Sequence, residues 1–137
     1  MIAVDAGPLV ALFDRRDRHH AKALDFFRAT DADFVTNIAV LTELAHLLSF
    51  SAAARNDALT WVAEAFTIDQ YTGDDLPRIV EIMAKYSDLP ADFADAALVA
   101  MCERLGIGSI ATFDKDVLVY RLGAGNTLRN VLQNPEA

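Results

Sequence analysis

The sequence has only one cysteine and no long run of apolar residues. Cys102 cannot form a disulfide within the chain, and its place on the apolar face of a predicted helix favours a buried core thiol. Charged residues interrupt every apolar run well before the ~20 residues that a membrane-spanning helix needs. The segment from Met1 to Asp5 lacks the basic start of a signal peptide. These absences predict a protein without a membrane segment, with the cytoplasm as its default compartment.

Basic residues are scarce relative to acidic ones. The 137 residues include 12 Lys and Arg against 20 Asp and Glu, which gives a formal net charge of −8. Such a charge normally argues against a nucleic-acid partner, because phosphate contacts need positive potential. Some of the carboxylates can be metal ligands rather than surface groups. Even so, a polyanion would need a local basic patch or basic residues from another chain.

Five of the twelve basic residues lie in one segment, 15–28. The crowding of charge between Asp14 and Lys22 favours a solvated turn before a helix, with a nucleic-acid contact patch as the alternative. The adjacent His19 and His20 would point to different sides of a helix. Neither matches the ligand spacing of a histidine metal site, so we assign neither to one.

Short apolar segments alternate with helical patterns along the chain. With 53% hydrophobic residues, the length suits one domain, 1–137, with a substantial core. The alternation predicts a three-layer α/β/α fold with a short-stranded, mostly parallel central sheet. We predict strands at 2–4, 33–36, 67–71, 109–112 and 128–132, and helices at 8–13, 21–29, 38–50, 55–66, 72–86 and 92–105. In the fourth helix we expect Leu59, Val62, Ala63 and Phe66 to face inward, and Thr72 or Asp74 should cap the fifth.

The stretch from Pro90 to Asp116 combines a helix, a strand and several carboxylates. Asp92 and Asp95 stand three apart in the first turn of the helix, where the helix dipole favours anions, and Gly106 is a plausible stop. Asp114 follows the next strand. A helix that begins with carboxylates, followed by a strand that ends at another, predicts a metal site.

Two further acids have unusual surroundings. Asp5 directly follows the first strand, where open parallel sheets place their ligands, although it could instead cap the next helix. Glu43 lies on a helix that is otherwise nearly all apolar. A buried, unpaired carboxylate there would cost several kcal/mol. Glu43 must therefore be protonated, paired with His46, or bound to a cation.

A parallel sheet would bring these acids together at one edge, because Asp5 and Asp114 both follow strands. Clustered carboxylates repel one another, and a hard divalent cation such as Mg²⁺ or Mn²⁺ removes that conflict. One or two such ions could activate a water and stabilise the leaving oxygen of a phosphodiester. No protein general base is then required.

Four segments, in this order, resemble PIN-domain nucleases, particularly the VapC-type toxins of toxin–antitoxin pairs. They are 4–12 (VDAGPLVAL), Thr36 with 40–43 (VLTE), 92–96 (DFADA) and 112–114 (TFD). The resemblance covers nearly the whole chain. It implies a PIN-like fold and a Mg²⁺- or Mn²⁺-dependent endoribonuclease that acts on RNA, forms a homodimer and is inhibited by a cognate antitoxin protein.

The resemblance also implies which residues form the site. Asp5, Glu43, Asp95 and Asp114 would be the catalytic, metal-binding acids, and Asp92 would be a fifth ligand or an alternative to Asp95. Thr112 would be the supporting hydroxyl beside the last acid, while Asp116 is a weaker candidate. Independently of the resemblance, we place nearest the substrate the basic residues that follow the last acid: Lys115, Arg121 and Arg129.

Two alternatives remain at this point. A receiver-like signalling module also binds Mg²⁺ with acids at the edge of a sheet, and Lys115 would suit it. Such modules carry a pair of acidic residues after the first strand, whereas Asp5 is followed by Ala6 and Gly7. The other alternative is a catalytically inert PIN-like domain that binds a partner.

Overall fold

A computed structural model of the chain describes residues 1–88, 92–119 and 127–132. Its centre is a sheet of five parallel strands in the order β3-β2-β1-β4-β5. Ala3 on β1 pairs with Val35 on β2 and with Ile110 on β4, so β1 is the central strand. The strands are β1 (Ile2–Val4), β2 (Phe34–Asn37), β3 (Thr67–Asp69), β4 (Ser109–Ala111) and β5 (Arg129–Asn130).

Six α-helices and one 3-10 helix connect the strands. Gly106 ends the sixth helix in the left-handed conformation (φ 69°), which glycine adopts without a steric penalty. The helices are α1 (Ala6–Phe13), α2 (His20–Ala29), α3 (Ile38–Leu47), α4 (Ala52–Ala65), α5 (Leu76–Lys85) and α6 (Phe93–Leu105), and the 3-10 helix is Lys115–Val119. The predicted α/β fold with a parallel sheet is confirmed.

The core is built around α6, whose nine residues from Ala94 to Cys102 are all buried. Eight of the nine are small or apolar, and a helix with such residues on nearly all sides can be enclosed; the ninth is Asp95. Cys102 is fully buried, and burial raises the pKa of its thiol to about 12. The expectation of an inert core thiol agrees with this position.

An ion-pair network ties the end of α6 to α5 and β3. Arg104 donates to Asp75 through Nε (2.8 Å) and Nη2 (3.0 Å), and also to Asp69. Both carboxylates are only 7% exposed. Because Asp69 ends β3 and Asp75 precedes α5, this network fixes the position of α6 relative to one side of the sheet.

Several predicted boundaries and facings were wrong. The third helix ends at Leu47 rather than at Phe50. On α4 Ala58 is buried, while Ala63 is exposed. Helix α5 follows Asp75, so neither Thr72 nor Asp74 caps it. Periodicity alone fixes neither the residue at which a helix begins or ends nor the turn of its pattern that meets the core.

The strand order excludes the receiver-like alternative. Doubly wound receiver domains have the order 2-1-3-4-5, whereas this sheet has the order 3-2-1-4-5. None of the helices formed by the described residues is long and apolar enough to cross a membrane.

Candidate metal centre

Asp5 lies at the carboxyl end of the central strand and is 5% exposed. Its Oδ1 accepts a hydrogen bond from the backbone N–H of Ala6 (2.8 Å) and thereby caps α1. Its Oδ2 accepts one from Thr112 Oγ1 (2.7 Å). The two sequence interpretations of Asp5, a helix cap and a member of an acidic site, are therefore compatible, because each oxygen has its own partner.

Asp92 and Asp95 have different places at the start of α6. Asp92 is the exposed N-cap, and its Oδ1 accepts from the backbone N–H of Asp95 (2.9 Å). Asp95 itself is 6% exposed and lies within the first turn. The cap orients the first turn of α6, and that turn carries Asp95 toward the edge of the sheet.

Glu43, on α3, reaches the same edge of the sheet as Asp5 and Asp95. The start of α3 is held by Asn37, whose Oδ1 accepts from Val40 N–H (3.0 Å) and whose Nδ2 donates to Ala97 O on α6 (3.3 Å). Glu43 Oε2 is buried and has no hydrogen-bond partner among the described residues. Within that part of the chain, Glu43 and His46 form no ion pair, so the proposed pairing of these two residues was wrong.

Asp5, Glu43 and Asp95 converge. One carboxylate oxygen from each lies within 4.8 Å of the others. In the described part of the chain, these are the three side chains of ligating type that come this close together. They lie 38 or more residues apart along the chain, so the crossing of three elements at one edge of the sheet creates the cluster.

The cluster is electrostatically unfavourable without a counter-ion. Burial, with repulsion from the neighbouring acids, raises the pKa of Glu43 to about 7 and that of Asp95 to about 8. Burial also raises the pKa of Asp5, partly offset by its hydrogen bonds to Thr112 and Ala6. Protons or a cation must therefore compensate the charge.

The residues fit a divalent metal ion. All three donors are carboxylate oxygens, the ligand type that hard cations such as Mg²⁺ and Mn²⁺ prefer. Glu43 Oε2 is a buried acceptor without a protein partner, and a cation would satisfy it. The arrangement can hold a divalent ion, and its donor set suits Mg²⁺, Mn²⁺ or Ca²⁺ better than zinc.

Asp114 lies beside this trio rather than within it. It is exposed, just past β4, and its backbone N–H donates to Thr112 Oγ1 (3.0 Å). Its charge raises the pKa of Asp5, Glu43 and Asp95, as does the charge of Asp92. Asp116 is in the 3-10 helix and donates its backbone N–H to Asp114 Oδ1 (2.9 Å).

Sequence analysis missed Asn130, at the carboxyl end of β5. Its Nδ2 donates to Thr112 O (3.0 Å), and its Oδ1 accepts from Thr112 N–H (3.3 Å). These two hydrogen bonds fix the backbone of Thr112, and Thr112 in turn orients Asp5. The rule that identified Asp5 and Asp114, polar residues where parallel strands end, could also have identified Asn130 if the short strand β5 had been predicted more closely.

The basic residues that were predicted to lie near the substrate, Lys115 and Arg129, have different surroundings. Lys115 lines a cleft of about 420 Å³ together with His19 and Lys22, so part of the basic segment lies beside Thr112. Arg129 instead donates to Ser109 Oγ (3.4 Å). Arg121 lies outside the described residues.

Comparison with known proteins agrees with this fold. The solved structure of VapC20 from Mycobacterium tuberculosis, a toxin that cleaves the sarcin–ricin loop, matches with a TM-score of 0.78 and 23% identity, over 85% of this chain and 92% of that one. No curated protein sequence matches the chain. The model of the PIN domain family matches residues 2–123. The resemblance found in four short motifs is thus confirmed along most of the chain, and the protein belongs to the PIN domain family.

Proposed function

We propose that this protein is a Mg²⁺- or Mn²⁺-dependent endoribonuclease and the toxin of a toxin–antitoxin pair. The observation that carries the proposal is the convergence of Asp5, Glu43 and Asp95 within 4.8 Å, with a buried Glu43 oxygen that lacks a protein partner. Membership of the PIN family supports a nuclease. The likeness to VapC20, a toxin that cleaves the sarcin–ricin loop, supports the more specific role.

In this proposal the trio holds the ion, and Asp114 and Asp92 complete its acidic surroundings. The metal, one ion or two, supplies activation of the attacking water and stabilisation of the leaving oxygen. Thr112 fixes the orientation of Asp5, so that its carboxylate does not have to reorganise when RNA arrives. Glu43 and Asp95, whose pKa values are raised to about 7 and about 8, give up protons when the ion binds.

The proposed partners are RNA, an antitoxin and a second copy of the chain, and the chain is proposed to form a single domain over 1–137. Exposed apolar side chains support protein partners. Ile38 is 58% exposed, Val80 64%, and Leu76 and Phe93 are also exposed, on α3, α5 and α6. A cleft of about 520 Å³ between the starts of α3 and α6 contains Glu43 and Asp92 in its lining, where a segment of an antitoxin could reach the acids.

Cleavage-site mapping of total RNA tests the proposal. The parent protein should produce discrete new ends in the presence of Mg²⁺ or Mn²⁺ and none in EDTA. Asp5→Asn should abolish cleavage because it removes a charged ligand while leaving an acceptor for Ala6 N–H. Asp57→Asn is the matched control, since Asp57 is exposed on α4 and does not contribute to the raised pKa values of the trio.

Two outcomes would contradict the nuclease. One is cleavage by Asp5→Asn at the rate of the parent, which would mean that Asp5 is not a ligand. The other is the absence of any metal-dependent cleavage of total RNA by the folded parent protein, which would favour the inert PIN-like domain.

A further inference from the structure

A second cleft shares a wall with the acidic cluster. It has a volume of about 420 Å³ and lies between the beginning of α2, the loop after β4 and the end of β5. We call it the basic cleft. Its lining consists of His19, Lys22, Thr112, Phe113, Lys115, Leu118, Asn130 and Leu132.

The charge of this lining is opposite to that of the protein as a whole. The chain has 20 acidic and 12 basic residues, yet the lining includes two of its three lysines and no carboxylate. Lys22 and Lys115 are both exposed, and neither forms an ion pair or hydrogen bond with another described residue. Both ammonium groups are therefore available to an anion.

An aromatic pair lies in the same lining. The ring of His19 stacks on that of Phe113 with centroids 4.2 Å apart and planes 11° from parallel. His19 Nε2 accepts a hydrogen bond from Arg18 Nε (3.2 Å), and its backbone N–H donates to Asp17 Oδ1 (2.8 Å). These contacts hold the imidazole in one orientation, as a stacking surface requires. His19 and Lys22 are three residues apart and thus on one side of the α2 start.

Thr112 connects the basic cleft to the acidic cluster. It lines the cleft, and its Oγ1 donates to Asp5 Oδ2 at 2.7 Å. A chain that occupies the cleft therefore lies beside Thr112, one hydrogen bond away from Asp5 of the trio. Lys115, which also lines the cleft, directly follows Asp114 in the chain.

We propose that the basic cleft binds one nucleotide of single-stranded RNA next to the cleaved bond, with Lys22 and Lys115 on its phosphate and the His19–Phe113 pair stacked against its base. The proposal rests on the proposed nuclease function and names the groups that offset the acidity of the chain. Lysines paired with an aromatic platform are the combination by which proteins hold single strands without reading their sequence.

Binding of uncleaved RNA tests the lysines. The probe is a fluorescein-labelled single-stranded oligouridylate, measured by anisotropy with Mg²⁺ in the Asp5→Asn background at several salt concentrations. Lys22→Gln with Lys115→Gln should weaken binding about tenfold and lower the slope of log affinity against log salt by about 0.7, the value for one neutralised phosphate on a single strand. Arg28→Gln with Lys85→Gln removes the same charge from exposed positions outside the cleft and is the matched control.

His19 is tested in the same assay. His19→Ala should weaken binding about tenfold without changing the salt slope, because it removes a stacking surface and no phosphate contact. His19→Phe keeps an aromatic ring and should restore most of the affinity. An equal loss of affinity in His19→Ala and His19→Phe would overturn the assignment of His19 as a stacking surface.

The comparison of the double lysine variant with its control decides whether the basic cleft binds RNA. If the cleft variant and its control have the same affinity and salt slope, the basic cleft is not an RNA site. That failure is distinct from failure of the nuclease, because the binding assay uses RNA that is never cleaved. RNA binding that depends on the lysines, in a parent that cleaves nothing, would leave the cleft proposal standing and reject the nuclease.

Discussion

Thr112 Oγ1 donates a hydrogen bond to Asp5 Oδ2 at 2.7 Å, across 107 positions of the chain. The same oxygen accepts the backbone N–H of Asp114 at 3.0 Å. One hydroxyl thus orients an acid after β1 and the loop that carries an acid after β4. These two strands are hydrogen-bonded neighbours, so the contact bridges the edge of the sheet where the acidic cluster lies.

Thr112→Val should impair the site more than the fold. The isosteric change removes the donor to Asp5 and should reduce cleavage or metal affinity by ~10-fold or more, as for other residues that orient ligands. The free energy of unfolding should fall by only about 1 kcal/mol. Thr112→Ser should restore activity. Equal cleavage by Thr112→Val and by the control Thr60→Val, on the exposed side of α4, would contradict this role.

The metal-free protein should lose stability as the pH rises. The pKa values of Asp5, Glu43 and Asp95 are raised in the folded state, to about 7 for Glu43 and about 8 for Asp95. Between about pH 4 and pH 8 the folded state therefore binds more protons than the unfolded state, and unfolding becomes easier as they are lost.

Urea unfolding in EDTA measures this effect. Because Glu43 is partly solvated, we expect a fall of about 2 kcal/mol between pH 5 and pH 8 rather than the full sum of the shifts. Asp95→Asn should flatten the dependence and be more stable than the parent at pH 8. A parent whose stability is constant or rises over this range would contradict the buried, coupled cluster.

Divalent metal should reverse that loss. Mg²⁺ or Mn²⁺ should raise the melting temperature in a saturable way, since only the folded state assembles the trio. The increase should be larger at pH 8 than at pH 5, because protons compete for the same oxygens. Calorimetric titration in buffers of different ionisation enthalpy should detect the released protons. Glu43→Gln should reduce both the rise in melting temperature and the number of protons released, and Asp57→Asn should change neither.

Substitutions at the start of α6 should separate the roles of Asp92 and Asp95. Asparagine is as good an N-cap as aspartate, so Asp92→Asn should retain stability, whereas Asp92→Ala should cost about 1 kcal/mol. Asp95→Asn should abolish cleavage, while Asp92→Asn should reduce it by less than tenfold. Inactivation by Asp92→Asn alone would instead make the cap residue the main ligand.

Arg104 should matter for stability and not for chemistry. Arg104→Met would leave the buried carboxylates of Asp69 and Asp75 without their partner, at a cost of about 3 kcal/mol. Arg78→Met removes a more exposed pairing with Glu103 and Glu81 and should cost ~1 kcal/mol or less. Denaturant unfolding compares the two variants. An equal loss of unfolding free energy in the two variants would show that burial of the carboxylates is unimportant.

Part of the site was predictable because its signals are local. Asp5 follows an apolar run and precedes Pro8, a pattern that predicts a strand, an acid and a helix start. Glu43 is conspicuous because its helical neighbours are apolar. Asp92 and Gly106 mark the ends of α6 through cap chemistry, which depends on a few adjacent residues.

Other features could not be predicted from local patterns. The residues adjacent to Asp92 and Asp95 do not decide which of them faces the sheet; the packing of α6 against α3 and β2 decides that. The position of His19 and Lys22 relative to the acids also depends on how α2 packs beside the loop after β4. Such contacts join residues about 90 positions apart.

The amino-acid sequence by itself determined the order of the strands and helices, the position of Asp5 and Asp114 just after strands, and the family to which the chain belongs, because caps, periodicity and short motifs act over a few residues. Only the tertiary structure decided that Asp5, Glu43 and Asp95 form the close trio while Asp92 and Asp114 flank it, and that a basic cleft adjoins them. The reason is physical: the separation of charges in space depends on strand order and helix packing, to which every element contributes.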